Sequence, residues 1–541
     1  MSLVGTASPW MRLMWACCVS GGCLLAARPL IHWFQLESYQ FPGYFRTLKR
    51  KGLKAWLPGF IMTLALLAGW LMLALLPAWI GWLPAGLLPL LCGGMLNKHS
   101  RKQTEKKKLT WTARAKRLCV TALVLWSALL FSWTFLATGP SAESWQAALP
   151  FLAFPLLLPL WTALAGLLAW PLEKLISEMY FQDARRILRE RPDLIRIGIT
   201  GSWGKTSVKF ILGTMLSERY PTLVTPASFN TPMGVTRVIR TQLEPGHRIF
   251  VAEMGARHVG DIKEMCRLVR PEIGVLTSVG PQHLDTFHTQ ERITRTKYEL
   301  MEAIPSGGSC FFADDDGIVT GLWEKTAKEK HLAGLNPDRD DVWAENIRVT
   351  PAGSAFTLCW GADRTACETS LLGELNIRNI VLCAAVCRKL GMTGAEIARG
   401  IRKLKPVEHR LELKRNPGGI TVLDDAFNSN IRGAEQAFRV LKEFPGTRFV
   451  VTPGMVELGD REEDLNLEFG RRMAGCCDEA ILVGRKRSES LKKGLLEEGF
   501  PEAHIHVTGS LQEAAALLQQ RAHPGDTILF ENDLPDNYSE E

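Results

Sequence analysis

Windows of about 20 apolar residues, the length that crosses a hydrocarbon core roughly 30 Å thick, crowd the first third of the chain and are missing from the rest. Five occur, near residues 10–34, 55–77, 80–96, 118–137 and 147–170, the first interrupted by Arg12 and Arg28. The charge divides at the same place. Residues 1–172 hold three acidic side chains, Glu37, Glu105 and Glu143, against sixteen Lys and Arg; of the net charge of +8 they carry +13, leaving −5 for residues 173–541. Thirteen of the seventeen tryptophans also lie in this first part. A membrane part has been joined to a soluble part, which excludes a fully soluble protein, a disordered one and a disulfide framework. The thirteen cysteines form no CxxC pair and no Cys/His cluster of zinc spacing, so they read as free thiols in a reducing cytosol.

Orientation follows from the loops. Arg46, Lys49, Arg50, Lys51 and Lys54 form one basic segment, and Lys98 to Arg117 forms another with nine Lys and Arg against one Glu. The connections around Pro77–Pro84 and Gly139–Trp145 carry almost no charge. By the positive-inside rule both basic segments face the cytoplasm. That places a multi-pass protein in the cytoplasmic (inner) membrane, N-terminus outside, with everything after residue 171 in the cytoplasm and the lipid bilayer as a partner. A cleaved signal peptide is not expected, because four more windows follow the first. Nucleic acid is not an expected partner: the basic loop 98–117 lacks interleaved aromatics apart from Trp111 and lies between two spans, where it sets topology or meets anionic lipid. Windows two to five hold no ionisable residue, which argues against an ion pathway.

After a connector at Leu172–Arg191 the pattern changes to alternating strands and helices, the rhythm of an α/β fold. Leu194–Thr200 reads as a strand, followed by the loop Gly201-Ser202-Trp203-Gly204-Lys205-Thr206 and a helix from Ser207 to about Glu218. In that order, backbone N–H groups and a helix N-terminus face a phosphate. Lys205 is expected to meet the β- and γ-phosphates of ATP, and Thr206 to offer its hydroxyl to magnesium. The strict GxxxxGK[ST] pattern needs Gly at 199, where this chain has Ile199. The next strand, Arg248–Ala252, ends in Glu253, where a nucleotide-bound metal needs an anionic ligand. From about Pro406, strands near 420–424, 448–452, 479–483, 504–508 and 526–530 alternate with helical stretches, suggesting a doubly wound domain.

Eight runs stand in register along the soluble half: TGSWGKTSVK (200–209), FNTPMGV (229–235), VAEMGARHVGDI (251–262), VGPQHLDTF (279–287), TKYELMEAI (296–304), GELNIRNIVLCAA (373–385), EHRLE (408–412) and LDDAFNSN (423–430). Their order and spacing resemble the Mur ligase family, and within it most of all the branch that adds D-alanyl-D-alanine to a muramoyl tripeptide. After the helical membrane region that the apolar windows place at 1–172, the resemblance implies a phosphate-loop-type central ATP-binding domain at 173–405 and a Rossmann-like C-terminal domain at 406–541. It also implies an ATP-dependent amide ligase of cell-envelope precursor synthesis: a carboxylate attacks the γ-phosphate of ATP, and an amine displaces phosphate from the acyl phosphate.

Carried over residue by residue, the resemblance implies nucleotide contacts at Gly201, Ser202, Gly204, Lys205, Thr206 and Ser207. It implies magnesium contacts at Thr206, Glu253 and His283, with Lys297 as the carbamylated lysine that supports a metal. Asn376 and Asn379 match the pair near the adenine, Arg410 and Asp425 reach the nucleotide from the last domain, and Asn230 approaches the reacting phosphate. Three departures bear on substrate. Membrane windows occupy the length in which that branch holds a UDP-binding domain, Leu375 stands where a His is usual, and the last strand runs Ile528-Leu529-Phe530-Glu531-Asn532-Asp533 in place of a basic, glycine-containing stretch. The expected partners are an envelope precursor, small or lipid-linked, and an amino acid or dipeptide. Two alternatives stay open, a poly-glutamate or capsule-type amide ligase and an ATP-driven membrane transporter or sensor.

Overall fold

A computed structural model describes residues 8–75, 78–101, 108–136, 152–227, 229–315, 317–416, 418–426, 431–456, 458 and 461–532. The chain divides into two compact units, Met1–Glu178 and Met179–Glu541.

The first unit is helical: α1 (Pro9–Ala26), α2 (Arg28–Leu36), α3 (Phe41–Lys51), α4 (Leu57–Leu75), α5 (Ala78–Arg101), α6 (Ala113–Leu136) and the start of α7 (Leu158–Arg189). Pro29 in the first turn of α2 has no N–H to continue a helix from α1, and the two meet at 51°. Close packing of α1 on α5 depends on glycine. A Cβ on Gly22 would lie 2.4 Å from the Pro89 carbonyl oxygen, and one on Gly93 would lie 2.0 Å from that of Gly22, so the backbones touch as small residues allow between apolar helices. Arg12, which interrupted the first window, is buried and donates to the Thr134 carbonyl at 3.2 Å. Since Arg12 begins α1 and Thr134 ends α6, these helices run antiparallel. At the opposite end of α6, Arg117 grips Glu173 through two hydrogen bonds of 2.5 and 2.8 Å.

Among the described residues two helices are long and apolar enough to cross a membrane, Ala113–Phe135 and Pro155–Arg189, or up to four if each of two bent pairs is one span. The expected five are not reached. The window at 80–96 falls on α5, which carries Pro84 and Pro89 in its interior and is not among the candidates. Part of the window at 147–170 and residues 102–107 of the basic loop lie outside the described residues. The expected connector at Leu172–Arg191 is no separate element, because α7 runs unbroken to Arg189.

The second unit holds two sheets. The first comprises β1 (Ile195–Thr200), β2 (Thr222–Val224), β3 (Ile249–Glu253), β4 (Ile273–Leu276), β5 (Ser309–Ala313), β6 (Glu329–Gly334), β7 (Val342–Thr350), β8 (Gly353–Trp360) and β9 (Asp363–Thr369), in the order β2-β3-β1-β4-β5-β6-β7-β8-β9. Pairing is parallel through β7 and antiparallel from there to β9. Helices cover both faces: α8 (Lys205–Leu216), α14 (Glu374–Lys389) and α15 (Gly394–Arg402) share one core, while α9 (Pro232–Gln242), α10 (Asp261–Val269), α12 (Gln290–Ala303) and α13 (Ile318–Lys325) share the other. The short α11 (Leu284–Phe287) follows β4. With both faces covered, the parallel strands read as continuous apolar runs. The chain leaves β1 toward β2 on one side and later returns to β4 on the other, so a crevice opens at the carboxyl end of β1.

The second sheet runs β10 (Glu412–Arg415), β11 (Thr421–Asp425), β15 (Thr527–Glu531), β12 (Arg448–Thr452), β13 (Glu479–Val483), β14 (Ile505–Thr508), parallel except for β10 against β11. The helices α16 (Ile431–Lys442), α17 (Glu462–Ala474) and α18 (Ser488–Glu497) pack on one face and α19 (Leu511–Arg521) on the other. The five strands expected here fall within a residue of their sequence positions.

Candidate active site

The loop between β1 and α8 is built by close backbone approach. Gly201 stands at φ 154°, and a Cβ there would lie 2.1 Å from Thr277 Oγ1. Gly204, at φ 80°, starts α8 in a left-handed conformation with no side chain capping the helix. The residues after β4 hold the loop from beneath. The Ser278 carbonyl accepts from the Ser202 N–H at 2.9 Å, Ser278 Oγ accepts from the Trp203 N–H at 2.8 Å, and Thr277 Oγ1 donates to the Trp203 carbonyl at 2.5 Å. Ser202, expected at the nucleotide, spends its buried hydroxyl on Gly280, donating to its carbonyl at 2.9 Å and accepting from its N–H at 3.0 Å. Its side chain serves the loop's own structure. The N-terminus of α8, with Lys205, Thr206 and Ser207 in its first turn, is left to receive an anion.

Lys205 folds back over this loop, its Nζ donating to the carbonyls of Gly201 and Ser202 at 2.6 and 2.8 Å. Burial pulls its pKa from 10.5 down to about 8, Glu253 opposing and Arg410 adding to the shift. Such an amine is ready to gain from a polyanion.

Glu253, at the carboxyl end of β3, is the electrostatic centre of the site and is only 1% exposed. Oε1 accepts from Thr206 Oγ1 at 3.2 Å and from Asn230 Nδ2 at 3.0 Å, and Oε2 accepts from Lys209 Nζ at 2.9 Å. Burial raises its pKa, but Lys209 and Lys205 more than reverse this and hold it below the ordinary glutamate value. Thr206, Asn230 and Glu253, predicted separately, are thus brought together. Lys209 was not predicted, because a lysine one turn into a helix reads as solvent-facing. Thr277 and Ser278 were also missed; the polar pair directly after an apolar strand was their only signal.

Lys297 lies on α12 and is 2% exposed. Burial and the charge of Lys205 drive its pKa well down, against Asp261 and Glu299, which favours the uncharged form of the amine. His283 stands at φ 53°, heading α11, with its carbonyl accepting from the Thr286 and Phe287 N–H groups at 3.0 Å. A left-handed histidine is uncommon, and such backbone clusters at functional sites.

Asn376 and Asn379 on α14 line a cavity of about 60 Å³ together with Trp203, Gly204, Ser207, Leu375, Arg410, Asp425 and Glu531. Arg410 is half-buried and stands between His409 at φ 58° and Leu411 at φ 47°. Asp425, Glu253 and Glu531 favour its charge against the cost of burial. It also walls a second cavity of about 470 Å³, which reaches Thr206, Phe210 and Pro406. Asp425 accepts from the Leu411 N–H at 3.0 Å, and burial pushes its pKa up to about 6 against Arg410. Residues 427–430 of the run that begins at Leu423 lie outside the described residues.

The donor set tests the fit to magnesium. Among the described residues no three His, Cys, Asp or Glu side chains converge as a metal cage. One hydroxyl and one carboxylate oxygen beside an anion-receiving loop suit a hard cation that keeps its waters and takes most other ligands from phosphate, and the set does not suit zinc. Thr206 and Glu253 would hold it.

Residues 199–387 match the Mur ligase middle domain, and residues 409–531 match the Mur ligase, glutamate ligase domain. The UDP-N-acetylmuramoyl-tripeptide--D-alanyl-D-alanine ligase of Escherichia coli (strain K12) is 29% identical over 332 residues, 60% of this chain and 73% of the relative. The enzyme of the same name from Mycobacterium tuberculosis (strain CDC 1551 / Oshkosh) is 32% identical over 359 residues, 62% of this chain and 69% of the relative. Among solved structures, MurF from Acinetobacter baumannii gives a TM-score of 0.60 at 24% identity, covering 66% of this chain and 77% of that one. MurF from Thermotoga maritima, solved in complex with ADP, gives 0.59 at 24% identity, covering 66% and 80%.

Proposed function

The chain belongs to the Mur ligase family, ATP-dependent and ADP-forming amide ligases, and from that premise we propose that it joins the carboxylate of a peptidoglycan-type precursor to an amine at the cytoplasmic face of a membrane. The observation that carries this reading is the sharing of Glu253 Oε1 by Thr206 and Asn230 directly above the loop that ends in Lys205.

In this reading the first turn of α8 and Lys205 bind the phosphates of ATP, with Lys205 exchanging its loop carbonyls for phosphate oxygens. Magnesium, when bound, neutralises charge that builds on the transferring phosphoryl group. Asn376 and Asn379 meet the base, and Asp425 and Arg410 complete the site from the second sheet. Asn230 orients the attacking carboxylate beside the γ-phosphate. The acyl phosphate forms as the carboxylate oxygen bonds to phosphorus and ADP leaves; the amine then adds to the acyl carbon, and phosphate leaves. Lys297 as a neutral amine adds to carbon dioxide, releasing one proton and becoming a carbamate anion. His283 and that anion flank the site on the side of α11 and α12.

The apolar helices before residue 178 anchor the ligase, and the basic segments keep its active site on the cytoplasmic side. The acceptor is a precursor held at the bilayer surface, because tethering raises the effective concentration of a membrane-bound substrate without any new contact. Release of phosphate by the detergent-purified protein tests the function over a panel of acceptor and amine pairs, each acceptor supplied UDP-linked and lipid-linked. The panel includes UDP-muramoyl tripeptide with D-alanyl-D-alanine. Release that needs neither acceptor nor amine would remove the ligase reading.

A further inference from the structure

Lys209 has 0% side-chain exposure, and its partner Glu253 has 1%. Burying an ammonium ion is unfavourable, and a buried ion pair often gives no more stability than apolar side chains of the same volume. The pair therefore calls for a reason beyond packing. Its geometry supplies one. Nζ of Lys209 donates to Glu253 Oε2 at 2.9 Å and to the carbonyl of Ala227, and lies 4.4 Å over the ring of Phe210. Ala227 itself stands at φ 43°, a backbone conformation that a Cβ disfavours, three residues before Asn230. One ammonium group thus ties α8, the carboxylate of β3 and the strained turn that delivers Asn230. The two oxygens of Glu253 are divided between it and the site: Oε2 belongs to Lys209, and Oε1 to Thr206 and Asn230.

We propose that Lys209 is a positioning residue that fixes the rotation of the Glu253 carboxylate, so that Oε1 alone is presented beside Thr206 to the nucleotide-bound cation. The proposal rests on the metal reading given above. Magnesium accepts only near-octahedral ligand sets at about 2.0–2.1 Å. A carboxylate that rotates freely, or offers both oxygens to one ion, is a poorer ligand than one with a single oxygen held in place.

The test is ADP binding to the full-length protein in detergent, measured by calorimetry with magnesium and with EDTA. Lys209→Met should reduce the factor by which magnesium tightens ADP at least tenfold, while changing metal-free ADP affinity less than threefold. In a Glu253→Gln background the same substitution should have no further effect on that factor, since its action passes through the carboxylate. If Lys209→Met alone does not fold, Lys209→Arg keeps a positive charge beside the Glu253 carboxylate in a different geometry, carries the comparison, and should reduce the same factor. Equal loss of metal-free and magnesium-bound affinity overturns the proposal, as does an effect that persists in the Glu253→Gln background or no effect at all. If magnesium does not tighten ADP on the unaltered protein, the metal reading falls and the proposal with it.

Discussion

Lys205 and Lys297 lie close enough that the charge on Lys205 disfavours one on Lys297, although 92 positions separate them in the chain. The positive charge of one amine thus keeps the other from taking up a proton. Lys205 awaits a phosphate, and Lys297 becomes an anion itself in the proposed carbamate.

Lys297→Ala should therefore lose ligase activity and regain part of it with added formate or acetate, because the missing part is a negative charge. Lys297→Arg should stay inactive, since guanidinium keeps its proton and cannot add to carbon dioxide. Turnover by the Arg variant at the level of the unaltered protein would exclude the carbamate.

Lys205→Ala should abolish ATP turnover at a cost of about 3 kcal/mol or more in the transition state, as for other preorganised electrostatic donors. Its native hydrogen bonds go to loop carbonyls and its shifted pKa shows that the folded chain does not favour its charge, so thermal stability should be kept or raised. A variant that turns over ATP normally would detach the loop from catalysis.

Away from the site, Asp340 gives a pH prediction. Burial, with Asp314 beside it, raises its pKa from 3.8 to about 7, against a hydrogen bond from the Asn336 N–H at 2.8 Å. The folded chain holds this proton more tightly than the unfolded one, so the contribution is fully present below pH 3.8 and is lost as pH rises through 7. Asp340→Asn keeps an acceptor for Asn336 and removes the titration. Denaturant unfolding should find it more stable than the unaltered chain at pH 8 by on the order of 1 kcal/mol, with the difference narrowing as pH falls below 7 and closing only below pH 3.8.

Topology is tested by reporter fusions after residue 110 and after residue 145. From the basic segments the expected result is opposite sides, with 110 inside. An external signal at 110 would reverse the whole orientation.

Much of this was legible because the signals are local. An apolar run closed by a glycine loop gave β1 and α8, and the spacing of turn residues gave β11 to β15. Glu253 was legible because it closes an apolar strand. What stayed hidden depends on partners distant in sequence: the burial of Lys209 needs Glu253 and Ala227 folded around it, and the clamp of Thr277 and Ser278 needs β4 next to β1. The antiparallel extension β7-β8-β9 was not anticipated, since charged residues such as Glu345 and Arg348 break the apolar run of its first strand. In the first unit, apolar composition alone could not separate a straight helix from one bent at Pro29.

The uncapped start of α8 makes the nucleotide pool a variable in folding. Gly204 offers no side chain to the N–H groups of the first turn, so the ligand-free chain leaves there the need that an anion meets. A ligand that binds only the folded form stabilises it by RT ln(1 + [L]/Kd), about 2.7 kcal/mol at a hundredfold excess over Kd. In a cell rich in ATP, protease and heat therefore meet a sturdier protein than the purified one, and starvation loosens the ligase before it limits the substrate.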